Sequence, residues 1–340
     1  MTEHASDISA LSLDAIRRNS AALVGDIVRT PCLTLDSGLM ANVLGGGAAV
    51  LKLECFQHTG TFKARGALSV ARGLDAAQRA RGITAASAGN HAIAAAWAAR
   101  QVSASAKVVI QSNANPFRVA MAKAQGADVI MKAPGAETFA EADRLVRDEG
   151  RYFIHPFEGP LTSLGTAGVG LELMEDAPDL AAVVVSIGGG GLISGIAAAV
   201  KQMNPACQVF GVEPVGAAGM YSSMTKGAPV HLDQVNTVAD SLGAPMSLPL
   251  GHALCAAYVD EIVLLDDDTI CAGMVAFQQE AKLAVEPAAG AAIAAVMGPL
   301  RARLQGKRVG IIVCGANIDA QTYLTLMARG MPAFDALVKS

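Results

Sequence analysis

Short runs of β-branched residues alternate with longer Ala-rich segments of helical period along most of the chain. Such alternation is typical of parallel sheets covered by helices and predicts an α/β fold. The predicted strands are Ala49–Glu54, Ile83–Ala86, Ala106–Gln111, Ala127–Met131, Val183–Ile187, Val209–Val212 and Val309–Val313. The predicted helices are Phe62–Leu74, Asn90–Arg100, Asn115–Gln125, Glu137–Arg147, Thr166–Glu175, Ser194–Met203, Asp268–Lys282 and Ala288–Arg303.

The length and composition allow a large buried core. A chain of 340 residues is longer than most single cores, which favours two domains or one large α/β unit with an insertion. Hydrophobic residues make up 52% and charged residues 16%, and the usual charged share is about 25%. We find no flexible linker, so a domain boundary must be formed by chain crossings.

The charge distribution excludes two classes of partner. The formal net charge of −4 comes from 26 basic and 30 acidic residues without long blocks, so we expect neither a nucleic acid nor a membrane partner. The segment Met1–Ala10 lacks the pattern of a secretory signal, and we expect a cytoplasmic protein. The uncharged stretch Ala181–Val200 has a length close to the ~20 residues that span a bilayer. Four glycines interrupt this stretch and predict a strand, a loop and a helix instead.

The spacing of the cysteines and histidines does not match a known metal-binding motif. The six cysteines are widely spaced with no C-x-x-C pair, which argues against a disulfide framework and a zinc ribbon. The six histidines show no H-x-x-x-H pair. We therefore predict no metal.

Four loops after predicted strands contain unusual chemistry, at the sheet edge where ligands bind in open α/β folds. The first loop, His58–Gly66, leads into a helix start that contains Lys63. A helix N-terminus disfavours a positive charge and lowers the pKa of a lysine there, which suits a Schiff base or a general base. A solvated lysine also fits this segment when it is considered alone.

The second loop, Ser87–His91, joins a predicted strand to a helix. Unpaired backbone N–H groups at such a turn can bind a carboxylate. An ordinary N-cap by Ser87 or Asn90 fits the same segment.

The third loop contains Gly188–Gly191 between a Val-rich strand and a helix. Four glycines let backbone N–H groups surround a phosphate at the positive end of a helix. Glu213 at the end of the next strand imitates the ribose-binding acid of a dinucleotide fold, but the third glycine of G-x-G-x-x-G is replaced by Ile193 or Ser194. No G-K-[ST] follows, which excludes a P-loop.

The fourth loop, Val313–Asn317, contains Cys314 directly after an apolar strand. A buried thiol is the usual state of a cysteine. Beside a cofactor, Cys314 would be a weak and neutral hydrogen-bonding partner.

Five motifs resemble those of the fold-type II pyridoxal phosphate enzymes, in the group of serine/threonine dehydratases and serine racemases. In chain order they are T-G-T-F-K-x-R-G-A, S-A-G-N-H-A, H-P-F, G-G-G-G-L-x-S-G and C-G-A-N. The resemblance extends from about Thr30 to Asn317. It implies a tryptophan synthase β-like fold with two three-layer domains built on parallel sheets. The large domain would comprise residues 1–68 and 157–340, and the small substrate-closing domain, 69–156, would be inserted in it.

The resemblance also implies the cofactor and its ligands. Lys63 would form the Schiff base with pyridoxal 5'-phosphate, Phe62 would pack against the pyridine ring and Asn90 would hydrogen-bond the ring hydroxyl. Cys314 would lie next to the ring nitrogen. The phosphate would be bound by Gly188, Gly189, Gly190, Gly191 and Leu192. The substrate carboxylate would be held by Ser87, Ala88, Gly89, Asn90 and His91.

This ligand set favours β-elimination. A ring nitrogen that faces a thiol and no carboxylate stays largely unprotonated, which weakens the ring as an electron sink, and elimination stores little charge there. The expected activity is a serine/threonine-type dehydratase, an ammonia-lyase that converts a small β-hydroxy amino acid into a 2-keto acid and ammonia. The resembling racemases have a second serine where this chain has Ala88, and a methyl group cannot donate a proton.

A metal site near Glu213 is not predicted. The cation site of some relatives pairs an acid at the position of Glu213 with a later aspartate, but Pro214–Gly219 contains no carboxylate.

Several alternative functions remain open. They are an amino acid racemase, a β-replacement synthase, a nicotinamide-dependent oxidoreductase that uses Glu213, and a catalytically silent binding protein. The substrate could be serine, threonine, 3-hydroxyaspartate, phenylserine or a hydroxyectoine-derived acid. We expect a homodimer.

Overall fold

The computed structural model describes residues 7–87, 89–133 and 135–339. In these parts of the chain, ten strands form two sheets. The strands are β1 Cys32–Leu35, β2 Ala48–Lys52, β3 Ile83–Ser87, β4 Ala106–Gln111, β5 Asp128–Lys132, β6 Tyr152–Phe153, β7 Ala182–Ser186, β8 Gln208–Pro214, β9 Glu261–Leu265 and β10 Arg308–Ile312. All seven predicted strands are confirmed, and β1, β6 and β9 were not predicted.

The helices cover the sheets. They are α1 Leu13–Ala22, α2 Gly38–Val43, α3 Lys63–Arg72, α4 Ala76–Arg81, α5 Asn90–Gln101, α6 Pro116–Ala124, α7 Ala136–Glu149, α8 Pro160–Asp176, α9 Gly191–Met203, α10 Gly219–Lys226, α11 Pro249–Tyr258, α12 Asp267–Ala276, α13 Pro287–Met297 and α14 Ala320–Lys339. A π-helical turn, Phe277–Ala281, continues α12. The stretch Ala181–Val200 forms β7, the glycine loop and most of α9, as predicted, and no helix in the described ranges is long and apolar enough to cross a membrane.

The two sheets are almost entirely parallel. The larger sheet has the order β1-β2-β10-β7-β8-β9 and the smaller one β5-β4-β3-β6. The seven predicted strands pair parallel with one another, and β1, which was not predicted, pairs antiparallel with β2, Cys32 lying opposite Lys52. An antiparallel edge strand on an otherwise parallel sheet is common in α/β folds.

The smaller sheet is built from one continuous part of the chain. Its strands lie between residues 83 and 153, after β2 and before β7 of the larger sheet. The chain therefore leaves the larger sheet once, after β2, and returns once, after β6. The domain boundaries at 68/69 and 156/157 stay a prediction.

Small residues let the helices pack closely on the larger sheet. A Cβ atom at Gly195 of α9 would lie 2.4 Å from the Ser163 carbonyl oxygen of α8, and one at Gly170 of α8 would lie 2.8 Å from the Ile196 carbonyl oxygen. Neither position tolerates a side chain, because real Cβ contacts are longer than 3 Å. The Ala- and Gly-rich composition is thus used where α8 and α9 cross.

A buried ion cluster ties α3 to the sheet. Arg65 of α3 bonds Glu54 at 2.8 Å and Glu172 of α8 at 2.7 Å, and Lys52 of β2 bonds Glu172 at 2.6 Å. Burial opposes the charge of Glu172, but Arg65 and Lys52 hold the pKa of its carboxyl below the usual value. Because Arg65 lies two residues after Lys63, the cluster fixes the start of the helix that presents Lys63.

Candidate active site

A cavity of about 190 Å³ lies between the two sheets. The four predicted loops all reach it, although they are far apart in the sequence. The predicted residues that line it are Phe62, Lys63, Ser87, Gly89, Asn90, His91, Gly188, Gly189, Gly190, Gly191, Leu192 and Cys314. Ala88 lies outside the described residues.

Lys63 is the first residue of α3 and points its amine into this region. Its Nζ donates a hydrogen bond of 2.6 Å to the Pro156 carbonyl and lies 5.0 Å from the centre of the Phe62 ring. Burial lowers the pKa of Lys63 to about 8. A considerable fraction of the amine is therefore neutral near neutral pH, as a nucleophile or base requires.

The glycine loop forms a cradle at the N-terminus of α9. Gly190 has φ of 95°, and the first turn of α9 has no side-chain cap. Added Cβ atoms at Gly189 and Gly191 would lie 2.3 and 2.6 Å from atoms of Phe157. The backbone N–H groups and the helix dipole are thus exposed to the cavity, where they can bind an anion.

The Asn90 side chain is held by partners from the larger sheet's part of the chain. Its Nδ2 donates to the two carboxylate oxygens of Glu286 at 2.9 and 3.0 Å and to the Ser241 hydroxyl at 3.2 Å. Its Oδ1 accepts from the Asn317 amide at 2.9 Å. These bonds fix which side of the Asn90 amide donates.

Glu286 is a cavity residue that sequence reasoning missed. The residue is only 2% exposed, and burial raises the pKa of its carboxyl, which Arg118 and Asn90 oppose. We expected no carboxylate beside the ring nitrogen of a cofactor; Glu286 enters the cavity, but it is bonded to Asn90. A glutamate followed by Pro287 has the signature of an ordinary helix start, so no local signal marked it.

Arg118 and Asp240 were also missed. Arg118 of α6 is 4% exposed and bonds the Asp240 carboxylate at 2.5 Å and the Asn317 carbonyl at 2.9 Å. A Cβ at Gly89 would lie 2.4 Å from the Arg118 side chain, and Gly89 has φ of 154°. The glycine of the second loop is therefore required so that this arginine can cross between the two sheets.

The other predicted side chains have defined states. The Ser87 hydroxyl accepts from the Gly89 N–H at 2.9 Å. His91 Nε2 lies 2.8 Å from the Ile154 carbonyl, and burial together with Lys63 lowers the pKa of His91 to about 3. His91 is thus neutral. Burial raises the pKa of the Cys314 thiol, so it is neutral as well.

Glu213 lies away from this chemistry. It is fully buried, and its carboxylate accepts from the Met220 and Tyr221 N–H groups at 2.8 and 2.7 Å. It therefore caps α10 rather than facing a ribose. Among the described residues, no group of three His, Cys, Asp or Glu could hold a metal ion.

The chain belongs to the family of pyridoxal-phosphate dependent enzymes, whose family model matches residues 24–315. It is 46% identical to the phenylserine dehydratase of Ralstonia pickettii over 285 residues, 84% of this chain and 87% of the relative. It is 34% identical to the L-threonine ammonia-lyase of Thermotoga maritima, over 94% of this chain and 79% of the relative. Maize serine racemase superposes with a TM-score of 0.87 at 32% identity, over 97% of this chain and 99% of the racemase. These matches confirm the predicted family, fold class and cofactor dependence.

The site fits pyridoxal phosphate on structural grounds. The group is an aldehyde with a phosphate, and the cavity offers one amine with a lowered pKa and one uncapped helix N-terminus behind a glycine cradle. The amine lies beside the Phe62 ring. Both ends of the cofactor thus have a suitable partner in one cavity.

Proposed function

We propose that the protein is a pyridoxal-phosphate-dependent dehydratase that removes water from a small β-hydroxy amino acid and releases a 2-keto acid and ammonia. The observation that carries the proposal is that the Lys63 amine and the tetraglycine cradle line the same cavity. Relatives named phenylserine dehydratase and L-threonine ammonia-lyase support it.

The chain's own residues have separable tasks. The N–H groups of Gly188–Leu192 would hold the cofactor phosphate, and Asn90 and Cys314 would contact the ring. When bound, the cofactor withdraws electrons from the bonds at Cα of the substrate. The neutral Lys63 amine then takes the Cα proton, a task for which a pKa of about 8 is suited.

The second loop is suited to the substrate carboxylate. Gly89 is the N-cap of α5 and makes no side-chain cap, so N–H groups of the first turn are available to an anion. Ser87 lies beside them at the cavity. His91 is neutral and would contribute packing and a fixed dipole rather than charge.

Racemisation is the alternative, because serine racemases occur among the relatives. It needs a proton donor on the second face of Cα. The chain has Ala88 where the resembling racemases place a serine, and the methyl group of alanine carries no acidic proton. Dehydration is therefore the favoured reaction.

The proposal is tested on purified holoenzyme. Visible absorbance should show the bound cofactor, and borohydride reduction should leave it attached to Lys63. Incubation with serine, threonine and phenylserine should yield keto acid and ammonia, and Lys63→Ala should abolish both. Lys123→Ala is the matched control, since Lys123 is exposed on α6. Accumulation of the mirror-image amino acid without ammonia would instead establish the racemase.

Three further proposals belong with this function. We infer a homodimer, a cytoplasmic location with a role in amino acid catabolism, and a small domain that spans 69–156. Analytical ultracentrifugation, cell fractionation and limited proteolysis test them in that order. A monomer would contradict the homodimer, and recovery in a membrane or secreted fraction would contradict the cytoplasmic location. Cleavage only away from residues 69 and 156 would contradict the proposed domain boundaries.

A further inference from the structure

The two carboxylates of the cavity, Asp240 and Glu286, are already paired with Arg118. Among the described lining residues the cationic side chains are Lys63 and Arg118. Arg118 is bonded to Asp240 at 2.5 Å and lies 3.5 Å from Glu286. Lys63 is needed at Cα, so no further cation is available for a second carboxylate of a substrate. An acidic β-substituent would be buried without a cationic partner, which is costly.

The wall contributed by α7 is apolar. The Phe139 ring lines the cavity and packs against the buried Ala86, Val109 and Leu145 of the smaller sheet's core. The neighbouring Thr138 is buried, and its hydroxyl donates to the Ala133 carbonyl at 2.8 Å. This part of the wall therefore presents an aromatic face and no unsatisfied polar group.

Small or apolar residues also line the cavity. They are Ala86 and Gly135 from the smaller sheet's part of the chain and Ala244 and Pro245 from the larger sheet's part. None of these side chains carries a hydrogen-bonding group. A flat apolar substituent can thus be covered on several sides, and aromatic rings gain additional energy from contact with another ring.

We propose that the cavity selects β-hydroxy amino acids whose β-substituent is uncharged and aromatic, and that Phe139 is the residue that determines this specificity. The inference rests on the proposed dehydratase function. Loss of the Phe139 ring should weaken use of an aromatic substrate by about tenfold or more, because a contact of about 1.4 kcal/mol corresponds to a factor of ten.

Turnover provides the first test. We expect wild-type holoenzyme to convert phenylserine with a kcat/KM at least about tenfold above that for threonine, and 3-hydroxyaspartate to be the poorest of the three. Phe139→Ala should lower kcat/KM for phenylserine about tenfold, mainly through KM, and change that for threonine by less than about threefold. Phe117→Ala is the control, since Phe117 is 41% exposed on α6. A preference for threonine or 3-hydroxyaspartate, or an equal loss on both substrates in Phe139→Ala, would overturn the inference.

Binding provides a test that does not depend on dehydration. L-Phenylalanine, L-alanine and L-aspartate lack the β-hydroxyl, and their binding can be followed by the visible absorbance of the bound cofactor. Phenylalanine should bind tightest and aspartate weakest, and Phe139→Ala should remove the advantage of phenylalanine. The same order without any keto acid from the hydroxy amino acids would refute the dehydratase and retain the specificity. An unchanged affinity for phenylalanine in Phe139→Ala would refute the specificity and retain the dehydratase.

Discussion

Replacement of Gly189 by alanine should weaken cofactor binding through a steric clash. The added Cβ would lie 2.3 to 2.4 Å from three ring atoms of Phe157, whereas ordinary contacts are 3.4–4 Å. The loop or the ring must therefore move by about 1 Å, and overpacking of this kind costs about 1–3 kcal/mol. If the loop moves, at least one N–H···phosphate bond is lost, which at about 1.5–3 kcal/mol raises the cofactor Kd by at least about tenfold.

Two measurements separate these effects. Absorbance titration of the apoenzyme with pyridoxal phosphate gives the Kd, and urea denaturation of the apoenzyme gives the free energy of unfolding. In Gly189→Ala/Phe157→Ala the ring is absent, so the penalty of the double variant should be smaller than the sum of the single ones. Gly38→Ala is the control, since a Cβ there meets no atom within 4 Å. A wild-type Kd for Gly189→Ala would refute the argument that the cradle requires its glycines.

Two further predictions concern charge. Glu172→Gln leaves Lys52 and Arg65 with one carboxylate fewer, so the free energy of unfolding in urea should fall by about 3–5 kcal/mol. Glu175→Gln, which breaks an exposed pair, should cost less than about 1 kcal/mol, and equal losses in both variants would contradict the buried role. Because burial lowers the pKa of Lys63 to about 8 and only the neutral amine attacks an aldehyde, the rate at which pyridoxal phosphate attaches to apoenzyme should rise with pH and level off above about 8. Stopped-flow absorbance measures it, and a rate that still rises steeply above pH 9 would be inconsistent with a lowered pKa.

The sequence predicted the buried strands well because burial on both faces leaves an unmistakable apolar run. All five residues of β7 are buried, and its prediction as Val183–Ile187 is displaced by one residue. In β1 the two central residues are exposed, so no such run exists. The strand β6 has only two residues, and it exists because it pairs with β3. Whether a short strand or an edge strand forms depends on its pairing partner, which is distant in the sequence and leaves no local pattern.

The residues of the candidate site were likewise predicted only where a local motif marks them. The residues that were predicted lie in local motifs, where glycines and hydroxyl residues follow a strand. Glu286, Arg118 and Asp240 have no such motif, and they meet only because the chain returns from the smaller sheet to the larger one. Arg118 pairs with Asp240 and with Glu286, each more than a hundred residues further along the chain, and no local motif announces such a contact.

The position of Phe157 couples the two halves of the molecule mechanically. This residue belongs to the segment on which the chain comes back from the smaller sheet, and its ring and backbone are pressed against Gly189 and Gly191. Any swing of the smaller sheet that moves this segment also moves the phosphate cradle. By thermodynamic reciprocity, an amino acid that draws the two sheets together must strengthen the hold on the cofactor by the same factor by which the cofactor improves the binding of that amino acid. Cofactor binding and substrate binding would then be coupled through the contact of Phe157 with the glycine cradle.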